Sequence, residues 1–218
     1  MKFEAVLFDM DGVIFDSERA VIECWKLVAP EAGLKNIEDF CNQALGINSA
    51  ETRKLFERMY GTEVPYDELN EKKREIFKRM FDAGLIAVKP GVRELLSYLK
   101  ENGVKVALAS STSSKSVLRE IIAAGLEKYF DEIVCGDMVQ RSKPEPDIWL
   151  EALRRLGVDA ANAAAIEDSF NGVKSAHAAG LYTIMVPDLV QPTDEIRQLA
   201  NEVQPSLKEV LDSIRDQK

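Results

Sequence analysis

The chain has 218 residues, with 28 Lys and Arg against 37 Asp and Glu, for a formal net charge of −9. That balance argues against nucleic acid and against anionic membrane as partners, since both demand a basic face, and no apolar run approaches the roughly 20 residues of a membrane span. Cys24, Cys41 and Cys135 are odd in number, scattered and without metal-ligand spacing, which fits reduced, buried thiols in a cytoplasmic protein.

Residues 1–4 lead directly into the apolar run Ala5-Val6-Leu7-Phe8, which leaves no room for a signal peptide. An uninterrupted apolar run bounded by a turn signal predicts a strand buried on both faces of a parallel sheet. The period then changes. Helices are predicted over 17–28, with Ser17 as N-cap, and over 36–44, 49–60 and 66–83, the last two stopped by Gly61 and Gly84. No strand pattern interrupts this block.

From Val88 onward helix and strand alternate. Helices are expected over 90–101, 113–124, 146–156 and 169–179, and strands over 104–109, 132–135, 163–166 and 182–186. Ser206-Leu207-Lys208-Glu209 opens a last helix with a capping box. Such alternation predicts an α/β fold, a Rossmann-like doubly wound parallel sheet. A lone parallel strand cannot bury itself, so the first strand must join that sheet. Residues 1–16 and 86–218 therefore form the core domain, and 17–85 form an inserted all-helical domain.

Ligands bind outside the carboxyl ends of strands in open parallel sheets. Asp9 and Asp11 follow the first strand, Ser110 and Ser111 the second, Lys143 lies beyond the third, and Glu167 and Asp168 follow the fourth. Paired carboxylates at the poorly hydrated end of a buried strand need positive charge nearby. Hard oxygens suit Mg2+, while a lysine and amide donors suit phosphoryl oxygens. Plainer readings stand beside these: Asp9 and Asp11 as a simple metal site or turn, residues 110–114 as a helix N-cap, Lys143 as a surface lysine. His177, the only histidine, reads as packing or surface, and Trp25 and Trp149 as core.

Asp9-x-Asp11-Gly12-Val13, Leu108-Ala109-Ser110-Ser111, Ser142-Lys143-Pro144-x-Pro146 and Ile166-Glu167-Asp168-Ser169, in this order, resemble the four signature motifs of the haloacid dehalogenase superfamily. The insertion after the first resembles the helical cap of its β-phosphoglucomutase-like phosphatases. The resemblance implies an Mg2+-dependent phosphatase working through an aspartyl phosphate. Asp9 would be the nucleophile and Asp11 the general acid and base. Ser110, Ser111 and Lys143 would hold phosphate. Asp9, the Asp11 backbone carbonyl and Asp168 would ligate Mg2+, with Glu167 binding directly or through water. Crowding would let one carboxyl keep a proton near neutrality.

The partner implied is a small phosphorylated metabolite, a sugar or polyol phosphate, acted on by a monomer. Glu18, Gly46 and Asn48 are the candidate substrate contacts of the insertion. Glu18 reads equally as a charge favoured at a helix N-terminus. β-Phosphoglucomutases resemble one another in a histidine and an arginine whose positions fall at Val21 and near Ser49 here. Their absence favours hydrolysis. A mutase, and a catalytically silent phosphosugar-binding regulatory protein, are the competing readings.

Overall fold

A computed structural model describes residues 3–45 and 49–216. The chain divides into two compact units, Met1–Phe15 with Val88–Lys218, and Asp16–Ala87. In chain order, β1 (Ala5–Phe8) is followed by α1 (Ser17–Val28), α2 (Ile37–Ala44), α3 (Ser49–Tyr60) and α4 (Tyr66–Asp82). Then come α5 (Val92–Glu101), β2 (Lys105–Ser110), α6 (Ser114–Ala123), β3 (Glu132–Cys135), α7 (Asp147–Leu156) and β4 (Ala163–Glu167). The chain closes with α8 (Phe170–Ala178), β5 (Tyr182–Met185), α9 (Asp194–Leu199), β6 (Glu202–Val203) and α10 (Leu207–Asp216).

The first unit is a parallel sheet in the order β3-β2-β1-β4-β5-β6. This is the Rossmann-like order, and it reverses direction at β1. β1 is buried along its whole length, because strands flank it on both edges and helices cover both faces. Trp149, Ile148 and Leu153 of α7 pack on one face with Ala107, Ala109, Ala163 and Ala165 of the strands. Small strand residues let the bulky helix side chains come close.

The second unit is all helix among the described residues. Its core is aromatic. Trp25 meets Phe40 edge-on at 5.5 Å between ring centroids, and Phe40 meets Phe56 edge-on at 5.3 Å. Such edge-to-face pairs add roughly 0.5–1.5 kcal/mol each beyond the area they bury. No helix among the described residues is long and apolar enough to cross a membrane.

Several helix ends differ from the sequence reading. Asp16, not Ser17, occupies the N-cap of α1, and Ser17 is the buried first residue of that helix. α5 starts two residues after Pro90, with Gly91 as its N-cap. The serine run does not cap α6 with its own side chains. Asp137 instead accepts from the Ser114 backbone N–H at 3.0 Å and the Ser114 hydroxyl at 2.7 Å. At α10, Ser206 Oγ accepts from the Lys208 N–H at 3.1 Å and bonds the Glu209 carboxylate, so the reciprocal box is not made. The short α9 and β6 carry too few residues to show a period, and the sequence reading missed both.

Candidate active site

The register of the sheet sets the site. Phe8 pairs with Leu108 of β2 and with Ile166 of β4. The next rung therefore holds Asp9, Ala109 and Glu167 side by side on three adjacent strands. Lys143 arrives from the segment between β3 and α7 and touches all three. Its Nζ donates to Asp9 Oδ1 at 2.5 Å, to Glu167 Oε1 at 2.6 Å and to the Ala109 carbonyl at 3.1 Å. All three ammonium protons are used. The lysine side chain is 7% exposed, which rules out the reading of Lys143 as a surface residue.

Glu167 is committed to protein donors. Its Oε2 accepts from the backbone N–H groups of Asp168 and Ser169, at 3.0 and 2.9 Å, and from Ser169 Oγ at 3.0 Å. Ser169 in turn caps α8 by accepting from Gly172 N at 3.1 Å. A Cβ at Gly172 would overlap the Glu167 carboxylate, so the start of α8 can approach β4 only as glycine.

The turn after β1 is equally constrained. Gly12 N donates to the Phe15 carbonyl at 3.0 Å. Gly12 has φ +73°, and a Cβ there would overlap the Asp168 carboxylate. Only glycine satisfies both the left-handed backbone and the close approach. Asp11 is joined to the second motif, since its Oδ2 accepts from Thr112 Oγ1 at 2.9 Å. Thr112 N donates to Ser110 Oγ at 3.1 Å. Ser110 is wholly buried and Ser111 exposed.

Electrostatics follow from this packing. Burial pushes the Asp9 carboxyl up to about 8, with Glu167 and Asp11 adding to the rise and Lys143 opposing it. The crowding expected of these carboxylates thus falls on Asp9. Burial also acts to lower Lys143, but Asp9 and Glu167 outweigh it and hold the ammonium above its ordinary range. A carboxyl kept from ionising by burial and by neighbouring carboxylates is chemically suited to a hard cation. Among the described residues no three His, Cys, Asp or Glu side chains form a ready metal cluster. An ion here would therefore draw on backbone carbonyl, water or phosphate oxygens as well, which is how Mg2+ is commonly held.

Sequence reasoning missed Lys89 and Asp188. Lys89 Nζ donates to the Gly12 carbonyl at 2.6 Å and pairs with Asp188 Oδ1 at 2.9 Å. No spacing rule connects these residues, which meet only because the chain returns beside the β1 turn at Val88. Glu18 lies in the first turn of α1, in the helical unit. Gly46 and Asn48 fall outside the described residues. His177 Nδ1 donates to the Leu199 carbonyl at 3.0 Å, a structural contact.

The model of the haloacid dehalogenase-like hydrolase family matches residues 6–186. A phosphorylated carbohydrates phosphatase of Thermotoga maritima is 39% identical over 183 residues, 83% of this chain and 83% of that protein. A beta-phosphoglucomutase of Bacillus subtilis is 31% identical over 84% of this chain and 83% of its own length. The crystal structure of CbbY from Rhodobacter sphaeroides in complex with phosphate superposes with a TM-score of 0.78 at 30% identity, covering 95% of this chain and 96% of that one.

Proposed function

Because the chain belongs to the haloacid dehalogenase-like hydrolase family, we propose that it is an Mg2+-dependent phosphatase of phosphorylated carbohydrates that works through an aspartyl-phosphate intermediate. It is a phosphoric monoester hydrolase, and its likeness to a phosphatase of phosphorylated carbohydrates carries the substrate class. The roles rest on one observation above the others, the single ammonium shared by Asp9, Glu167 and Ala109.

Asp9 is assigned as nucleophile. Its carboxylate oxygen forms a bond to phosphorus as the ester P–O bond breaks, and Asp11 gives its proton to the departing alcohol oxygen. Water then attacks phosphorus, Asp11 takes its proton, and the Asp9 carboxylate leaves as inorganic phosphate forms. Lys143 offsets charge on Asp9 and on the transferred group. Ser110 Oγ and the Ser111 N–H are assigned to the phosphoryl oxygens. Asp9, the Asp11 carbonyl and Asp168 would hold Mg2+, which supplies positive charge against the phosphoryl oxygens and favours the ionised Asp9. Glu167, with both oxygens taken by protein donors, is reassigned from metal ligand to anchor of Lys143. Residues 16–87 are assigned as the cap that selects the leaving group, with Glu18 as a candidate contact.

Incubation of the purified protein and Mg2+ with a panel of hexose, pentose and polyol phosphates should release inorganic phosphate, and Asp9→Asn should abolish the release. No release from any ester would sink the reading. A mutase is the second reading, favoured by the likeness to the Bacillus subtilis enzyme. Conversion of β-glucose 1-phosphate to glucose 6-phosphate without free phosphate would establish it instead.

A further inference from the structure

Trp149 stands under the charged centre of the site. The Lys143 Nζ lies 4.4 Å from the centroid of its indole ring, within the range of a cation–π contact. Trp149 is fully buried, and its Nε1 has no hydrogen-bond partner. A buried indole N–H without an acceptor is a cost that an all-carbon side chain such as phenylalanine would not carry. Packing alone therefore does not explain tryptophan here, whereas its ring, the most strongly attractive of the aromatic faces toward a cation, does.

The ring also answers a problem of donors. The ammonium has three protons, and Asp9, Glu167 and the Ala109 carbonyl take all three. To donate to a phosphoryl oxygen it must release one of them. The Ala109 bond, at 3.1 Å, is the longest of the three and the only one to a backbone carbonyl. The attraction of a ring face does not depend on where the protons point, so it persists while the ammonium turns.

We propose that Trp149 is a positioning residue whose indole face carries the Lys143 ammonium as it tips from the Ala109 carbonyl toward the phosphoryl group, keeping it within reach of Asp9 and Glu167. This rests on the phosphatase reading above.

The test places tryptophan of increasing fluorine content site-specifically at 149. Fluorine drains the ring face and leaves its shape nearly unchanged. The expected result is a kcat that falls by about twofold for each fluorine, with an unchanged melting midpoint, and by about thirtyfold in Trp149→Leu, with Trp149→Phe between. Independently of turnover, the Cε protons of Lys143 should resonate upfield through the ring current and lose that shift in Trp149→Leu. A flat kcat across the fluorinated series, with the parent enzyme active, overturns the positioning role alone, as does a Lys143 resonance at its ordinary place. A parent protein that releases no phosphate from any ester overturns the phosphatase reading and the positioning role with it, while the upfield resonance would still mark the contact.

Discussion

Lys143 Nζ stands 2.6 Å from Glu167 Oε1, while the other Glu167 oxygen collects two backbone N–H groups and a hydroxyl. Four donors therefore converge on one carboxylate that is 1% exposed. Glu167→Gln keeps the volume but replaces one oxygen with an NH2. Turned one way, that group faces the ammonium; turned the other, it faces Asp168 N and Ser169 N. Each buried donor left unmet costs about 1–3 kcal/mol, and a chain of this length loses roughly 2–4 °C of melting midpoint per kcal/mol. Differential scanning calorimetry should show Glu167→Gln melting about 5 °C or more below the parent, with kcat reduced. An unchanged midpoint would mean that the carboxylate is not committed as the structure shows.

Proton and cation should compete at Asp9. Its carboxyl is raised from 3.8 to about 8, chiefly by burial. Between those values the folded metal-free chain holds a proton that the unfolded chain has lost. This contribution to stability is present at low pH and declines as pH rises toward 8. A divalent ion that requires ionised Asp9 binds against that proton. The stabilisation by Mg2+, read as the shift in melting midpoint on adding it to chelator-treated protein, should therefore grow from pH 5 to pH 8. In Asp9→Asn the growth should vanish. A shift that is constant over this interval would place the ion elsewhere.

Much of this site was legible in the sequence because strand ends announce themselves. An apolar run that stops at Asp9, and another that stops at Glu167, put both carboxylates at the same end of a parallel sheet. The register then makes them neighbours. Lys143 was legible as part of a motif, but not its third acceptor, since the Ala109 carbonyl carries no side-chain signature. The hydrogen bonds of Glu167 to Lys143, Asp168 N and Ser169 were not legible, because a sequence shows a carboxylate's identity and not its partners. Lys89 and Asp188 were invisible for a different reason. Each is an ordinary charged residue in a loop, and only the returning chain brings them together at the Gly12 carbonyl. The serine run was overread as a cap, because the residue that caps α6 is Asp137, more than twenty positions away.

The Lys89–Asp188 pair yields its own test. Asp188 is 7% exposed, and its Oδ2 has no hydrogen-bond partner, so Lys89 supplies its compensation. Lys89→Met leaves a nearly buried carboxylate without its cation and removes the Lys89 hydrogen bond to the Gly12 carbonyl. Breaking one side of such a pair costs about 3–5 kcal/mol when fully buried, and somewhat less here because the Lys89 side chain is 19% exposed. Adding Asp188→Leu should restore part of the loss, because the unpaired charge goes too. A double-mutant cycle in urea measures the coupling. Strict additivity would show that the two side chains do not interact. Since Gly12 adjoins Asp11, kcat should fall in Lys89→Met and stay low in the double variant.

Gly172→Ala sets two effects of opposite sign against each other. Gly172 lies within α8, where alanine is favoured over glycine by about 1 kcal/mol on intrinsic propensity. Propensity alone predicts a more stable protein. The added Cβ, however, would overlap the Glu167 carboxylate. The far end of a glutamate side chain can ordinarily move aside, but this one is tied by Lys143, Asp168 N, Ser169 N and Ser169 Oγ. Moving it breaks several of those bonds at about 1 kcal/mol or more apiece, and it takes the anchor from Lys143. The clash therefore outweighs the propensity. Gly172→Ala should melt below the parent and lose kcat by about tenfold or more as the ammonium shifts from Asp9. A variant that melts higher and turns over as before would show that Glu167 has room to move, and that the close approach of α8 to β4 does not fix the lysine.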